Sequence, residues 1–424
     1  MVSVGDSDLK MRNELLRQLL EISRHLASIT DLERILHLII ERAAKLLDVE
    51  RATVFLYDSA TEELYIEAAL EQLEVRFSAD MGIAGAAAHK REIVMVNDAY
   101  SDDRSYLDVD LQTGFRTRNL LAGPLLDYDG QLVGVLELIN KREGDFDSSD
   151  IYPFEILSAQ AGIAFQRARL IQDKLEKSKI ECELAIAGQI QQQLLPDEPK
   201  TIPGYEVKFY FRPSEHVGGD CYDFMQLDDG SCTFLVGDAT GHGIGPALIS
   251  AETRALVRGV MSVNPDLRKL ITTVNELLVA DLPEDKFITT FFGRLNPSTH
   301  RMEYASAGQS PILLHRGQTN DVERLETTGI PLGILPGDEH QGSDRLDFLP
   351  GDTLVILTDG IPEYRNSEGE EFGVKRIEDC LQRCQKQHFE IMFNTLISEM
   401  RIFAGDAPQQ DDITVLMIRR LVTS

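Results

Sequence analysis

The chain has 424 residues, 43% of them hydrophobic and 26% charged, with a formal net charge of −28; this balance supports packed globular domains, more than one at this length, and excludes general disorder. Polyanions are bound by clustered Lys and Arg, so nucleic acid is not an expected partner. No apolar run approaches the roughly 20 residues of a membrane span and no signal-type segment follows a basic start, while Cys182, Cys221, Cys232, Cys380 and Cys384 form no CxxC pair, so the expectation is a cytoplasmic protein with reduced thiols.

Residues 8–30 carry Leu9, Leu15, Leu16, Leu19, Ile22 and Leu26 at helical spacing, which predicts an amphipathic helix, with 1–23 as a separate N-terminal element. Thr30 and Asp31 offer an N-cap for a second helix whose apolar face is Leu32, Ile35, Leu36, Ile39, Ile40 and Ala43. Short β-rich runs follow, "RATVFLYD", "ELYIEAAL", "EIVMVND", "NLLAGPLLD" and "LVGVLELIN", the last two joined by a Tyr-Asp-Gly hairpin signal. The pattern is helical again from 149 to 172. Helices at both ends of an antiparallel sheet predict an α+β domain over 24–172.

From 161 to 189, Ala161, Ala164, Ala168, Ile171, Leu175, Ser178, Cys182, Ala185 and Gln189 recur in steps of three and four. Two readings fit: one long helix lying on its own domain, or a parallel two-chain coiled coil over 161–195, and the four-repeat length favours the second. "LLPDEPKTIPGYEV" then forbids further helix, because prolines cannot donate to its ladder, and places a domain boundary near Pro196. Beyond it, "YEVKFYFRP", "CTFLVGD", "FITTFFGRLN", "RMEYASAG", "SPILLHRG", "DTLVILTDG" and "DDITVLMIRR" read as strands, with helices near 245–262, 266–281, 373–385 and 388–404. This predicts a two-layered sheet covered by helices over 196–424.

Four acidic sites in this half lie at strand ends or turns: Asp220 in "VGGDCYD", Asp238 in "LVGDATG", Asp359 in "LVILTDG", and Asp411 with Asp412 in "DDITVLMI". A single Asp-Gly is ordinarily a turn residue. If these strands are neighbours, however, the carboxylates converge at one sheet edge, where they repel unless hard divalent cations such as magnesium or manganese sit among them. Two such ions suit in-line attack of water on a phosphoryl group.

The ordered motifs "IAGQIQQQLLP", "VGGDCYDF", "VGDATGHGIGPALISA", "SAGQSPILL", "PLGI", "LTDGIPEYRN" and "QDDITVLMI" resemble the bacterial PPM-type metal-dependent serine/threonine phosphatases of stress-response and sporulation regulation. The resemblance covers 184–420 and implies a β-sandwich with helices on both outer faces, hydrolysing phosphoserine or phosphothreonine on a protein, for example an anti-sigma-factor antagonist, with two Mn²⁺ or Mg²⁺ ions. It also implies that Asp238 bridges the metals and, with Asp359, is central to catalysis. Ala239 would contribute its backbone carbonyl, Asp220 would bind the second metal, and Asp359 and Asp411 the first. Asp412 is a supporting carboxylate of the metal set, and Asp223 and Glu363 are further candidates. Two departures leave the general acid and the phosphate clamp unassigned: His242 lies four residues past Asp238, and His216 stands where eukaryotic members have a phosphate-binding Arg, with Arg212 eight residues before Asp220. Gln309 occupies a place where bacterial relatives usually show His.

Residues 24–172 resemble a GAF domain. Asn140, Lys141, Phe146 and Asp150 fit the signature of cyclic-nucleotide-responsive members, while Ile151 replaces its Glu. That implies a pocket for a cyclic nucleotide or other small ligand, lined in part by "ADMGIAGAAAHK" and "NLLAGPLLD"; the other reading of Lys141 and Asp150 is a structural ion pair beneath it. The order of sensor, helical linker and catalytic domain suggests a homodimer through the linker and GAF domain that regulates the phosphatase. An adaptor acting by binding alone, either a ligand-sensing GAF protein or a pseudophosphatase, is the alternative.

Overall fold

The computed structural model describes residues 31–68, 76–104, 115–196, 201–263, 266–337 and 342–422, together with 17, 20, 21, 24, 25 and 29. Most of the predicted N-terminal helix therefore lies outside the described residues. The chain divides into two compact units, Met1–Lys179 and Ile180–Ser424.

The N-terminal unit is built on a six-stranded sheet of order β3-β2-β1-β6-β5-β4, comprising β1 (Val49–Asp58), β2 (Glu63–Ala68), β3 (Arg76–Ser78), β4 (Val94–Val96), β5 (Leu120–Leu126) and β6 (Leu132–Lys141). Helix α1 (Leu32–Leu46) is capped by the Asp31 carboxylate, which accepts from the Arg34 amide at 2.9 Å, and buries the predicted Ile35, Leu36, Ile39, Ile40 and Ala43. These residues pack on one sheet face with Leu136 and Leu138. The opposite face, with Val135, Ala122 and Phe55, receives α2 (Gly82–Lys90). The sequence reading placed that segment beside a pocket without recognising a helix, since its run of alanines and glycines has no polar face to show period.

Helix α3 (Ser148–Leu194) is continuous. Its first turns correct the coiled-coil register: Ala161, Ala164 and Ala168, the first three seam positions, are buried in the core of the N-terminal unit beside Phe154 and Leu157. Small side chains let a helix approach its own sheet as closely as they would a second helix. The same helix face then continues as half-buried Ile171 and exposed Leu175, Ser178 and Cys182.

The C-terminal unit is a sandwich of two five-stranded sheets. One has the order β14-β11-β10-β9-β8, from β8 (Asp220–Gln226), β9 (Cys232–Ala239), β10 (Ile288–Asn296), β11 (Arg301–Ala307) and β14 (Asp344–Asp347). The other has the order β13-β12-β15-β16-β7, from β7 (Tyr205–Arg212), β12 (Ile312–His315), β13 (Val322–Leu325), β15 (Thr353–Leu357) and β16 (Ile413–Arg420). Alternate residues of each sheet, such as Phe234, Val236, Phe291, Ile356, Leu416 and Ile418, meet in the inner core. The outer faces are covered by α4 (Ile244–Val263) and α5 (Leu267–Asp281) on the first sheet, and by α6 (Gly373–Arg383) and α7 (Phe389–Ala404) on the second. Cys221, Cys232, Cys380 and Cys384 are buried free thiols, and Cys182 is an exposed one.

Candidate active site

The period-2 stripe Phe234, Val236, Asp238 carries inner-core residues outward along β9 until the last of them is an acid. Directly across the ladder Asp220 opens β8 and pairs with Asp238. Asp220, expected at a strand end or in a turn, is the first residue of the strand. "DCYDFMQ" lacks an apolar run, and its strand character comes from pairing with β9 over its whole length.

The other acids belong to the facing sheet. Asp359 lies two residues past the end of β15, and Asp411 and Asp412 immediately precede β16. The carboxylates thus converge from two layers, which corrects the expectation of a single sheet edge. Asp220 joins the layers: its Oδ2 accepts from Thr358 Oγ1 at 2.7 Å and Thr414 Oγ1 at 2.6 Å. Neither threonine stood out in the sequence, although each lies within three residues of an acid on a strand's inward register.

Electrostatics mark the cluster as short of positive charge. Burial, followed by the charges of Asp359, Asp411 and Asp412, pushes the Asp238 carboxyl up to about 8, with a hydrogen bond from Asp220 acting the other way. Burial, then Asp411 and Glu363, raises Asp359 to about 6. Asp220 is raised well above the ordinary carboxylate range by burial and then by Asp238, and burial also raises Asp411. Convergent oxygen donors with elevated pKa values fit hard divalent cations, whose charge would relieve the repulsion. Among the described residues no three His, Cys, Asp or Glu side chains close around one point. All-oxygen donors suit hard cations that retain several waters and take one or two carboxylates each, as magnesium does.

The pH dependence of the metal-free protein follows. Carboxyls raised on folding keep protons that the unfolded chain has released, so native stability falls as pH rises through the window from about 4, the ordinary value, to the folded values of about 6 and about 8. The cluster's stabilising contribution is fully present below about pH 4 and is lost toward pH 8. The thermal midpoint in chelator should fall across that range, and manganese should restore it with release of protons; a midpoint indifferent to both would contradict the picture.

Other candidates separate cleanly. Both Asp412 oxygens are occupied by the loop before β8: Oδ1 accepts from the Ser214 amide at 2.7 Å and hydroxyl at 3.0 Å, and Oδ2 from the Asp220 amide at 3.2 Å. It anchors the loop. Asp223 faces α4, where Arg258 donates to both its oxygens at 2.5 and 2.7 Å and Arg254 lies 3.3 Å away, so a buried ion pair and not a cation accounts for it. The pair of arginines at i and i+4 was the signal for that role. Glu363 is exposed; its amide donates to the Asp359 carbonyl at 2.9 Å and its charge helps to raise the Asp359 carboxyl. His242 is 86% exposed and 3.9 Å from Glu215. His216 and Arg212 are also exposed. Gln309 is buried, donating to the Leu357 carbonyl at 2.7 Å and accepting from Thr289 at 2.9 Å, a tie between strands.

In the N-terminal unit, Lys141 donates to Asp150 at 2.6 Å, Asp150 also accepts from the Asp147 amide, and the Lys141 ammonium lies 5.9 Å from the Phe146 ring centroid. Asn140 accepts from the Arg118 amide and donates to Glu50 and the Arg116 carbonyl. These contacts give the signature residues a structural role: Lys141 ties the end of β6 to the start of α3, and Asn140 ties it to β1 and to the segment before β5.

A sandwich of two sheets between helical layers, with carboxylates gathered at one end of the facing strands, is a PP2C-like domain fold. Residues 228–421 match the family described as stage II sporulation protein E and residues 31–165 match the GAF domain, so the chain carries a C-terminal region of the first family behind an N-terminal GAF domain. Phosphoserine phosphatase RsbU of Bacillus subtilis is 25% identical over 266 residues, covering 62% of this chain and 76% of its own. A probable 3',5'-cyclic phosphodiesterase, pde-5, of Caenorhabditis elegans is 30% identical over 194 residues, covering 42% of this chain and only 26% of its own. Protein IcfG of Synechocystis sp. is 26% identical over 278 residues, with 59% and 43% covered. The chain therefore spans well under two thirds of two of these three relatives. Among solved structures, the SiaA PP2C domain of Pseudomonas aeruginosa shares the fold, with a TM-score of 0.52 and 23% identity over 57% of this chain and 98% of that one.

Proposed function

We propose that the chain hydrolyses phosphoserine or phosphothreonine on a protein substrate in a manganese- or magnesium-dependent reaction. The observation that carries this reading is the pairing of Asp220 with Asp238 across β8 and β9, within electrostatic reach of Asp359 and Asp411 from the facing sheet. Asp220, Asp238, Asp359, Asp411 and the Ala239 carbonyl would hold two ions, with Asp238 shared between them. When bound, the ions supply the acidity that makes water a nucleophile at neutral pH and neutralise charge building on the phosphoryl group. Thr358 and Thr414 orient Asp220, and Asp412 holds the loop before it.

RsbU is named for phosphoserine, which supports a phosphoprotein as substrate, and the family resemblance favours an anti-sigma-factor antagonist in the cytoplasm. The test is phosphate release from a phosphoserine peptide by the full chain with manganese and with chelator. Release confined to manganese is expected. No release from protein that has bound manganese would favour the adaptor reading.

The GAF domain at 24–172 is the proposed sensor of a cyclic nucleotide or other small ligand, in keeping with its likeness to cyclic-nucleotide phosphodiesterases. Its proposed route to the phosphatase at 196–424 is a dimeric helix over 161–195, for which the usable part of the seam begins at Ile171. Leu175 is 66% exposed, so Ile171→Asp with Leu175→Asp should halve the solution mass and abolish ligand-dependent control, with basal turnover within about twofold because no core contact of note is lost. Unchanged mass and unchanged regulation would sink the dimer.

A further inference from the structure

The motif "IAGQIQQQLLP" closes α3, and the chemistry above uses none of it. Gln191, half-buried in the last turn, reads both polar groups of one backbone unit: its Nε2 donates to the Gly218 carbonyl at 2.7 Å, and its Oε1 accepts from the Gly218 amide at 3.0 Å. One helical turn earlier Gly188 is buried against the His216 carbonyl, so close that any Cβ would overlap it. Gly218 itself has no room for a Cβ beside the Asp412 carboxylate. The helix end, the Asp412 anchor and the loop are therefore packed as one piece.

This loop leads into one proposed donor, Asp220, and is bonded to the β9 residue that would supply another, Ala239. Asp220 follows Gly219 directly, and the Gly219 carbonyl accepts from the Ala239 amide at 3.2 Å and from the Ser250 hydroxyl. Asp412 holds the two ends of the segment at Ser214 and Asp220, whereas its middle, at Gly218, is held by Gln191. Unpinned, the Gly218 amide and carbonyl would lose partners in a buried setting, and Asp220 would be presented from a looser loop.

We propose that Gln191 is a positioning residue for the metal centre, fixing the approach of Asp220 and the Ala239 carbonyl through Gly218. The inference rests on the metal-dependent reading above and assigns Gln191 no contact with substrate. Residues that orient ligands without touching the metal typically change its affinity by about 10–100-fold.

The test uses the full chain as Q191M, which keeps the side chain's length without either hydrogen bond, and Q191E, which keeps the acceptor but sets a carboxylate oxygen against the Gly218 carbonyl. The manganese concentration that half-saturates thermal stabilisation, a readout independent of turnover, should rise by about 10–100-fold in both. Amide exchange at Gly218, Gly219 and Asp220 should quicken, and phosphate release should recover at saturating manganese with an unchanged KM for phosphopeptide. Manganese titrations that overlay wild type, with unaltered exchange, would overturn the proposal while leaving the hydrolase reading intact. Wild-type protein that binds manganese without releasing phosphate would overturn the hydrolase reading, and the shift in manganese midpoint would still decide Gln191. Failure of wild type to bind manganese would overturn both.

Discussion

Asp238→Asn should lower manganese-dependent phosphate release by more than about 10²-fold, beyond what loss of a group orienting a ligand costs, and should at the same time raise the thermal stability of the metal-free protein at pH 8. Both effects have one cause. The Asp238 carboxyl is raised to about 8 because it is buried among Asp359, Asp411 and Asp412, so near pH 8 the apoprotein carries a charge that its surroundings disfavour. Asparagine has almost the same shape and no charge, which relieves the repulsion and removes the anionic donor proposed to be shared by both ions. At about pH 5, below its folded pKa, Asp238 already holds a proton and the stability gain should vanish. Thermal melts in chelator at the two pH values, beside phosphate release with manganese, measure both. A purely structural aspartate would give a loss of stability at pH 8, and activity retained at saturating manganese would remove Asp238 from the metal set.

How much of this was legible depends on the kind of information each feature needs. The place of Asp238 follows from alternation alone, since Phe234, Val236 and Asp238 share one side of a strand. Helix α1 was equally plain, because its cap and its apolar face agree. Layering was not: strand ends in the sequence look alike whether they share a sheet or face each other, so the acids were assigned to one edge when β8 and β9 lie opposite β15 and β16. The alanines at 161, 164 and 168 were ambiguous for another reason, as a small residue permits close packing without saying on what. Asp223 looked like a ligand candidate because its partners, Arg254 and Arg258, come some 30 residues later on a different element. Gln191 belonged to a recognised motif, but only the fold reveals that its amide meets the backbone of Gly218.

Gly360→Ala should damage stability and the metal centre together. Gly360 is buried directly after Asp359, and a Cβ there would fall within the van der Waals envelope of the Asp412 carbonyl. The obstacle is backbone, not the end of a flexible side chain, so the turn carrying Asp359 and the segment carrying Asp411 and Asp412 must separate. Overpacking of this kind typically costs about 1–3 kcal/mol, and at about 2–4 °C per kcal/mol for a unit of this size the thermal midpoint should drop by several degrees. Because the displaced segments hold two proposed donors, half-saturation by manganese should also move to higher concentration, by about 10-fold or more. Gly245→Ala, at a helical position in α4 with open space around its Cβ direction, supplies the control: alanine is the better helix former, and stability there should hold or rise slightly. A Gly360→Ala protein that melts and titrates with manganese like wild type would mean that the two segments yield independently, and that the close approach of Gly360 to Asp412 does not set the spacing of Asp359 and Asp411.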